Sequence, residues 1–579
     1  RNMAEATFVS DCSRAMVVAI DFGTTYSGYA FSFRSEPLII MTNMAWNSGS
    51  ESLISLKTPT CLLLSPEKKF HSLGYEAENT YCELSHNEQR EWYFFKQFKM
   101  MLKQTPGLNK DTVLEDVTGK PIQALVVFSL SIRYFKDHLI KELEKRGNVI
   151  NQENIQFVLT VPAIWDDVAK RFMREAALQA GINSEQLVLA LEPEVASIYC
   201  QIKVGERLQI HEAGSQFMAV DLGGGTVDIT VHETQEGGEL KELIAASGGP
   251  WGGTSIDKEI LMLVERLTGK ENMKKFIQNN AGDYIDFFRT LEVKKRSFSD
   301  ESSENNQGKK YVLRCPYELI RLIAKKHNLH ETSGSAFVQL SKYVDIAADK
   351  IKIAKEVVDK IFVVKIQPII DHVQDLFKNQ VLPGVDTILL IGGYAECGHV
   401  QNAFKTAFRD KRIVIPENAG LAVLRGAVIF GHLPTQIISR VARFTYGVAG
   451  LDEFDPSSHP PNKLKVTDTG KWCKDVFHQY VQKGQSVPVG WTDSDQCIPI
   501  SNDQKAYNIR IYTSEDTDPK FIDDDSCRLL GTYVIPIPSE YRNMEQKRAT
   551  RSLTFGETEL RFELEFFDGK RFEKAFDML

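Results

Sequence analysis

The feature that most constrains this chain is a repeat. Residues 17–33, VVAIDFGTTYSGYAFSF, return two hundred residues later as FMAVDLGGGTVDITVHE, residues 217–233. Each copy runs apolar residues into an aspartate (Asp21, Asp221), turns on glycine and small hydroxyl residues (Gly23, Thr24, Thr25; Gly223, Gly224, Gly225, Thr226), and resumes as an alternating strand. Glycine lets the backbone approach a ligand closely, so successive N–H groups of such a turn form a nest for phosphate oxygens. An aspartate beside the nest can hold hydrated Mg²⁺, which keeps several waters and needs only one or two carboxylates plus phosphate. One Asp-x-Gly at a strand end is an ordinary turn. Two related copies imply two similar lobes facing one another across a polyphosphate and a metal. Neither copy is a P-loop or a Gly-x-Gly-x-x-Gly dinucleotide turn, because a strand and not a helix follows the glycines.

The remaining composition narrows the classes. A chain of 579 residues exceeds what a single core supports, since cores stop growing near about 250 to 300 residues. The net charge of −8 supplies no basic footprint, which argues against nucleic acid as the main partner. Nine scattered cysteines, with no Cys-x-x-Cys, argue against a zinc site or a disulfide framework and point to a reducing, cytoplasmic setting. No apolar run approaches the length of a transmembrane segment.

The wording FGTTYSGYAFSF resembles the 70-kDa heat-shock chaperones of the actin, hexokinase and chaperone ATPase superfamily, in particular their divergent branch numbered twelve. The resemblance implies an α/β chain with two actin-like ATPase lobes forming a nucleotide cleft, followed by a C-terminal all-β sandwich. It divides the chain into a tail (1–15), a nucleotide-binding domain (16–435), a linker (436–443) and a substrate-binding-like sandwich (444–579). ATP or ADP and Mg²⁺ are the implied cofactors.

Residues 88–102, EQREWYFFKQFKMML, read as a helix with Trp92, Phe95, Phe98 and Leu102 on one buried face. Lys96 within it would ordinarily be a solvated surface lysine; the resemblance makes it the lysine that reaches the γ-phosphate and the attacking water. Glu192, before Pro193, is an acid in a first helical turn, and the resemblance assigns it to orienting that water. Thr226 would help place the nucleophile, with Asp228 a proton acceptor or metal-shell partner. Asp21 and Asp221 would hold Mg²⁺, and the turns Gly23–Tyr26 and Gly223–Thr226 would cradle the phosphates. The resemblance places the glycine-rich stretch 245–257 beneath the phosphates, with a further contact at Gly249. The spacing Glu292, Lys295, Arg296, Ser299 matches the family helix that sandwiches adenine and holds the ribose. In residues 386–404 an apolar strand ends at Gly392-Gly393 before a helix, an arrangement in which bare backbone receives a nucleotide.

Two departures stand out. Tyr394-Ala395-Glu396 replaces the Ser-Thr-Arg that follows the glycine pair in these chaperones, leaving Tyr394 as the aromatic face for the base, and Gly420 stands where they carry an acid. Residues 436–443, QIISRVAR, replace the acidic-leucine linker. Beyond it the chain is rich in strands, clearest in ELRFELEFF, where Leu560, Phe562, Leu564 and Phe566 share one side. By resemblance this region would take an extended peptide or a protein client, with no helical lid following. The leading expectation is an ATP-hydrolysing, chaperone-like protein. The alternatives are a nucleotide-gated interaction protein with negligible turnover and a small-molecule kinase of the hexokinase type.

Overall fold

The computed structural model describes residues 13–575 except 44–45, 48–53, 106, 148–149, 209, 299–309, 329–337, 348, 379–381, 468–469 and 502. Both repeat copies fold as antiparallel hairpins, Met16–Phe22 with Tyr26–Phe33 and Gln216–Leu222 with Val227–Thr234. Each hairpin heads a mixed sheet of the same pattern. Met16–Phe22 pairs in parallel with Ile155–Val161, which pairs in parallel with Leu187–Leu191. Gln216–Leu222 pairs in parallel with Val385–Ile391, which pairs in parallel with Arg412–Val414. Beyond their second strands, the hairpins pair antiparallel with Met41–Thr42 and Leu240–Gly249. The repeat in sequence is therefore a repeat in topology.

Strand alternation decides where the two sheets meet. Val17 and Ala19 face one side of the first sheet, and Phe217 and Ala219 face one side of the second. All four enter a single apolar cluster together with Leu389, Ile391 and the helices Glu192–Leu208 and Ala422–His432. Met16, Val18, Ile20 and Phe22 turn the other way, into a core built with Phe128, Phe135 and Phe172. Met218, Val220 and Leu222 do the same in a third core. The two helices approach closely because Gly426 has no side chain, and a Cβ there would lie 1.8 Å from the Val195 carbonyl oxygen.

The C-terminal strands form two antiparallel sheets. One runs Leu464–Thr467, Gly470–Val481, Thr445–Glu453, Ala506–Ser514, Cys527–Pro536, and the other Trp491–Cys497, Ala549–Phe555, Arg561–Phe566, Arg571–Ala575. They share one apolar cluster, in which Leu560, Phe562, Leu564 and Phe566 are all buried.

Three elements differ from the sequence reading. Residues 88–102 are not one helix: His86–Glu91 is helical, Tyr93–Lys96 is a strand paired to Cys61–Leu64, and Gln97 turns with φ of 52° before short helical turns over Phe98–Met100 and Met101–Gln104. Pairing with a buried neighbour strand overrides helix periodicity here. Residues 348–377, whose sequence reads as a long amphipathic helix or a broken pair with Pro368 marking a kink or new start, instead hold the strand Lys350–Ala354 followed by the helix Lys355–Phe377, which runs through Pro368. The stretch 436–443 is no open linker. Its Ile437–Val441 is a strand, parallel to Leu240–Gly249 on one side and antiparallel to Ser486–Pro488 on the other, so the C-terminal region continues the second sheet.

Buried charge fastens that strand. The Arg440 guanidinium donates to both Glu194 oxygens at 2.7 Å, and the Val441 N–H donates to Glu242 Oε2 at 2.7 Å. Burial, then the nearby Glu194, lifts the Glu242 carboxyl from its ordinary 4.5 to about 8. Between those values the folded chain holds a proton that the unfolded chain has released, so this group's stabilisation is present below 4.5 and is lost as pH rises through about 8. Glu242→Gln keeps an acceptor for Val441 and is expected to flatten the fall in stability across this window. Urea unfolding of both proteins from about pH 5 to about pH 8 checks it.

Candidate functional site

The two turns meet. A Cβ placed on Gly224 would lie 2.5 Å from Thr25 Oγ1, and one on Gly225 would lie 2.3 Å from Met100 Sδ and 2.6 Å from Thr24 Oγ1. Only bare backbone fits where one turn abuts the other. A third segment supports them from the second sheet: Gly253 N–H donates to the Gly223 carbonyl (3.0 Å) and Thr254 N–H to the Gly224 carbonyl (2.9 Å). Around this contact opens a cavity of about 1040 Å³.

Most residues singled out in the sequence line that cavity: Asp21, Gly23, Thr24, Thr25, Tyr26, Glu192, Asp221, Gly223, Gly224, Gly225, Thr226, Glu292, Lys295, Gly392, Gly393 and Tyr394. Tyr26 and Glu292 join across it, hydroxyl to Oε2, at 2.9 Å. The Lys295 ammonium is engaged by Asp257 Oδ2 (2.6 Å) and the Gly253 carbonyl (3.1 Å). Tyr394 is buried with its ring against Gly253. Glu396 also lines the cavity and accepts from Gly420 N–H at 3.3 Å. Ser299 and the side chain of Arg296 lie outside the described residues.

Three assignments need correction. Lys96 does not line the cavity; its ammonium is paired to Glu78 Oε1 at 3.2 Å and sits over the Phe288 ring at 4.3 Å. The left-handed turn at Gln97 redirects the chain, and Lys99, three residues on, enters the cavity instead, donating to Glu192 Oε1 at 2.8 Å. Gly249 is locked in the ladder opposite Val227, and Gly253 and Thr254 take the place beside the turns. Asp228 is buried behind the cavity wall, where it accepts from Ile164 N–H at 2.9 Å. Sequence reasoning also missed Lys57, which lines the floor beside Asp21, and Arg289, which lines the outer wall and donates to Glu78 Oε2 at 2.7 Å. Lys99 had a weak signal in its adjacency to Lys96; Lys57 had none.

The carboxylates titrate apart. Burial raises Asp21, but the Lys57 ammonium outweighs burial and leaves it below its ordinary value. Burial, partly offset by Lys99, sets Glu192 at about 7. Asp221 is pushed well up by burial, then by Glu192, Asp228 and Asp21. Crowding of the carboxylates thus holds Asp221 toward its protonated form, and a cation bound beside it would favour the carboxylate instead.

The sequence matches the family model described as Hsp70 protein over residues 17–309. It is 35% identical to mouse (Mus musculus) heat shock 70 kDa protein 12A, over 94% of this chain and 89% of that protein. The chain belongs to the Hsp70 family. It falls in the 12 branch, being also 34% identical to human (Homo sapiens) heat shock 70 kDa protein 12B over 95% of this chain and 89% of that one. Chaperone protein HscA of Buchnera aphidicola is a more distant relative, 25% identical over 75% of this chain and 67% of its own length. Among the described residues no helix is long and apolar enough to cross a membrane.

Lys99 neutralises a carboxylate taken out of water, so its removal has a calculable signature. Lys99→Met is expected to destabilise the chain by about 3 kcal/mol where Glu192 must ionise, because a buried charge then has no partner. The loss should shrink below about pH 7, where Glu192 is protonated. Denaturant unfolding at two pH values, with recovery in the double variant Lys99→Met/Glu192→Gln, measures it.

Proposed function

We propose that this Hsp70-family chain binds ATP in the cavity between its two hairpin sheets and hydrolyses it slowly, and that residues 16–435 act as two actin-like lobes around that cleft. The observation that carries the reading is the contact of two glycine turns inside one cavity that also holds Asp21, Asp221, Glu192 and Lys99. The residues fit the nucleotide. Backbone N–H groups of Gly224 and Gly225 and the hydroxyls of Thr24 and Thr25 are donors suited to phosphate oxygens, while the Gly223 N–H closes the turn on the Thr226 carbonyl at 3.0 Å. A divalent ion fits at Asp221, which makes no ion pair among the described residues and would be held ionised by it; at Asp21 the Lys57 ammonium is in its place.

Bound nucleotide supplies the phosphoanhydride, and hydrolysis then depends on positioning and charge neutralisation rather than covalent chemistry. Glu192, poised near 7, can take up and return a proton at neutral pH, which suits a group that orients water. Lys99 fixes Glu192 Oε1 and places a positive charge in the cavity. Tyr26 and Glu292 brace opposite walls, and Tyr394 offers an aromatic surface near Gly392 and Gly393.

We further propose that residues 444–579 form a β-sandwich that receives an extended peptide or a protein client, with the strand Ile437–Val441 joining it to the nucleotide site. The docked strand and the engaged Asp21 favour a second reading, a nucleotide-gated interaction protein with little turnover.

Calorimetric ATP titration beside single-turnover hydrolysis separates these readings. Gly225→Val, which drives a side chain into Thr24 and Met100, is expected to weaken ATP binding at least about tenfold. Glu192→Gln and Lys99→Ala should bind ATP yet lower single-turnover hydrolysis by about a hundredfold, whereas Lys96→Ala should leave hydrolysis within about twofold. Wild-type hydrolysis no faster than Glu192→Gln would decide for the gated, non-hydrolysing protein.

A further inference from the structure

Asp21 sits where the repeat places a metal-holding carboxylate, yet both of its oxygens are taken. Oδ1 accepts from the Thr160 hydroxyl at 3.0 Å, and Oδ2 accepts from the Lys57 ammonium at 2.6 Å. The same ammonium donates to the Gly420 carbonyl at 2.7 Å, so protein oxygens hold two of its three hydrogens. Lys57 lines the cavity with both glycine turns, and its side chain is only 18% exposed. A compact ammonium in a sheltered wall is a point charge suited to a phosphate oxygen.

A divalent ion beside Asp21 would need the same oxygens, directly or through water, and would meet a fixed positive charge at short range. Residue 420 adds to the effect. Glycine places no carboxylate of its own there, and its part-buried backbone carbonyl helps to seat the ammonium. Asp221, by contrast, makes no ion pair among the described residues, while Lys57 and Lys99 are paired to Asp21 and Glu192. The two hairpins are thus related in backbone and unlike in charge: the first brings its own cation, and the second does not.

Resting on the reading of the cavity as a nucleotide site, we propose that Lys57 is a built-in cation of that site, which holds the position a divalent ion would need at Asp21, contacts the polyphosphate through its remaining donor, and lets this chain retain a nucleoside triphosphate without metal. An ion pair serving only to brace the loop before Ala422 would have no effect on metal dependence.

Calorimetric titration of ATP into the full chain, in EDTA and in excess Mg²⁺, tests this without any need for turnover. The wild type is expected to bind in EDTA within about threefold of its affinity in Mg²⁺. Lys57→Met is expected to bind at least about tenfold more weakly in EDTA, with Mg²⁺ restoring it, as loss of one charge-assisted contact dictates. Lys57→Arg keeps the charge and should keep the binding in EDTA. A wild type that loses more than about tenfold on removal of Mg²⁺ overturns the proposal and leaves the nucleotide reading standing. A Lys57→Met protein that melts cooperatively and binds in EDTA as tightly as the wild type also overturns it. If Lys57→Met does not fold, the wild-type comparison decides alone. Failure to bind ATP in both buffers overturns the nucleotide reading, and the proposal with it.

Discussion

The close approach of two backbone turns is the constraint on which the rest of this molecule depends. Thr24 and Thr25 lie against Gly224 and Gly225 with no room for a further carbon, and such a contact needs both hairpins fixed to within a fraction of an ångström. The shared core supplies that fixity. Val17, Ala19, Phe217 and Ala219 all project into one apolar cluster, so the strands that end at the turns are registered against each other by packing. The glycines that thin the intervening helices serve the same purpose. Gly431, for example, lets its helix press on Val17, which a side chain there would meet at 2.4 Å. Small residues in the helices and small residues in the turns are one design, and each would be useless without the other.

Holding two strand ends together also brings their aspartates into one low-dielectric space, with electrostatic consequences. Asp21, Glu192 and Asp221 line the cavity and Asp228 lies just behind it, while Lys57 and Lys99 are the cations facing them. Each lysine is committed to one acid, so the four carboxylates have distinct proton affinities: Asp21 below its ordinary range, Glu192 near neutrality, Asp221 and Asp228 above. Separation of this kind permits a group near 7 to exchange protons beside one that stays ionised. Like-charge repulsion would oppose folding of the site without ligand, and a bound cation or a lysine relieves it.

What was legible in the sequence was whatever repeats or breaks backbone rules. The hairpins announced themselves by glycine after aspartate twice over, and Gly392, with φ of 85°, by ending an apolar run. The alternation of Leu560, Phe562, Leu564 and Phe566 gave a buried face directly. What was not legible turns on side chains aimed by distant pairing. Lys96 and Lys99 sit in the same aromatic stretch, and only the partnership of Cys61 with Lys96, followed by the left-handed Gln97, decides which of them reaches Glu192. Gly249 and Gly253 are likewise indistinguishable until the ladder opposite Val227 claims the first. Nothing near Lys57 signals its role, because its partners lie 36 and 363 positions away.

The strand Ile437–Val441 shows how far such long-range pairing reaches. It lies beside Leu240 and Lys241, at the start of a strand whose far end, Gly249, is paired to Val227 next to the second turn. Past Gly249 the chain passes through Gly252, Gly253 and Thr254, whose N–H groups hold the carbonyls of Gly225, Gly223 and Gly224. One continuous piece of backbone thus runs from the junction with the C-terminal sheets to the wall of the cavity. The ladder between Val227–Thr234 and Leu240–Gly249 is not uniform, for its register shifts twice near Val231. Such irregularities bend a strand and leave residues without ladder partners. Displacement at the Leu240 end would be absorbed there unless the strand moves as a body, and the Arg440–Glu194 pair, anchored on the helix that begins at Glu192, ties that end to the same rigid core as the turns. Any displacement passed between the two halves of the chain would have to alter the core contact itself, against which the glycine turns are registered.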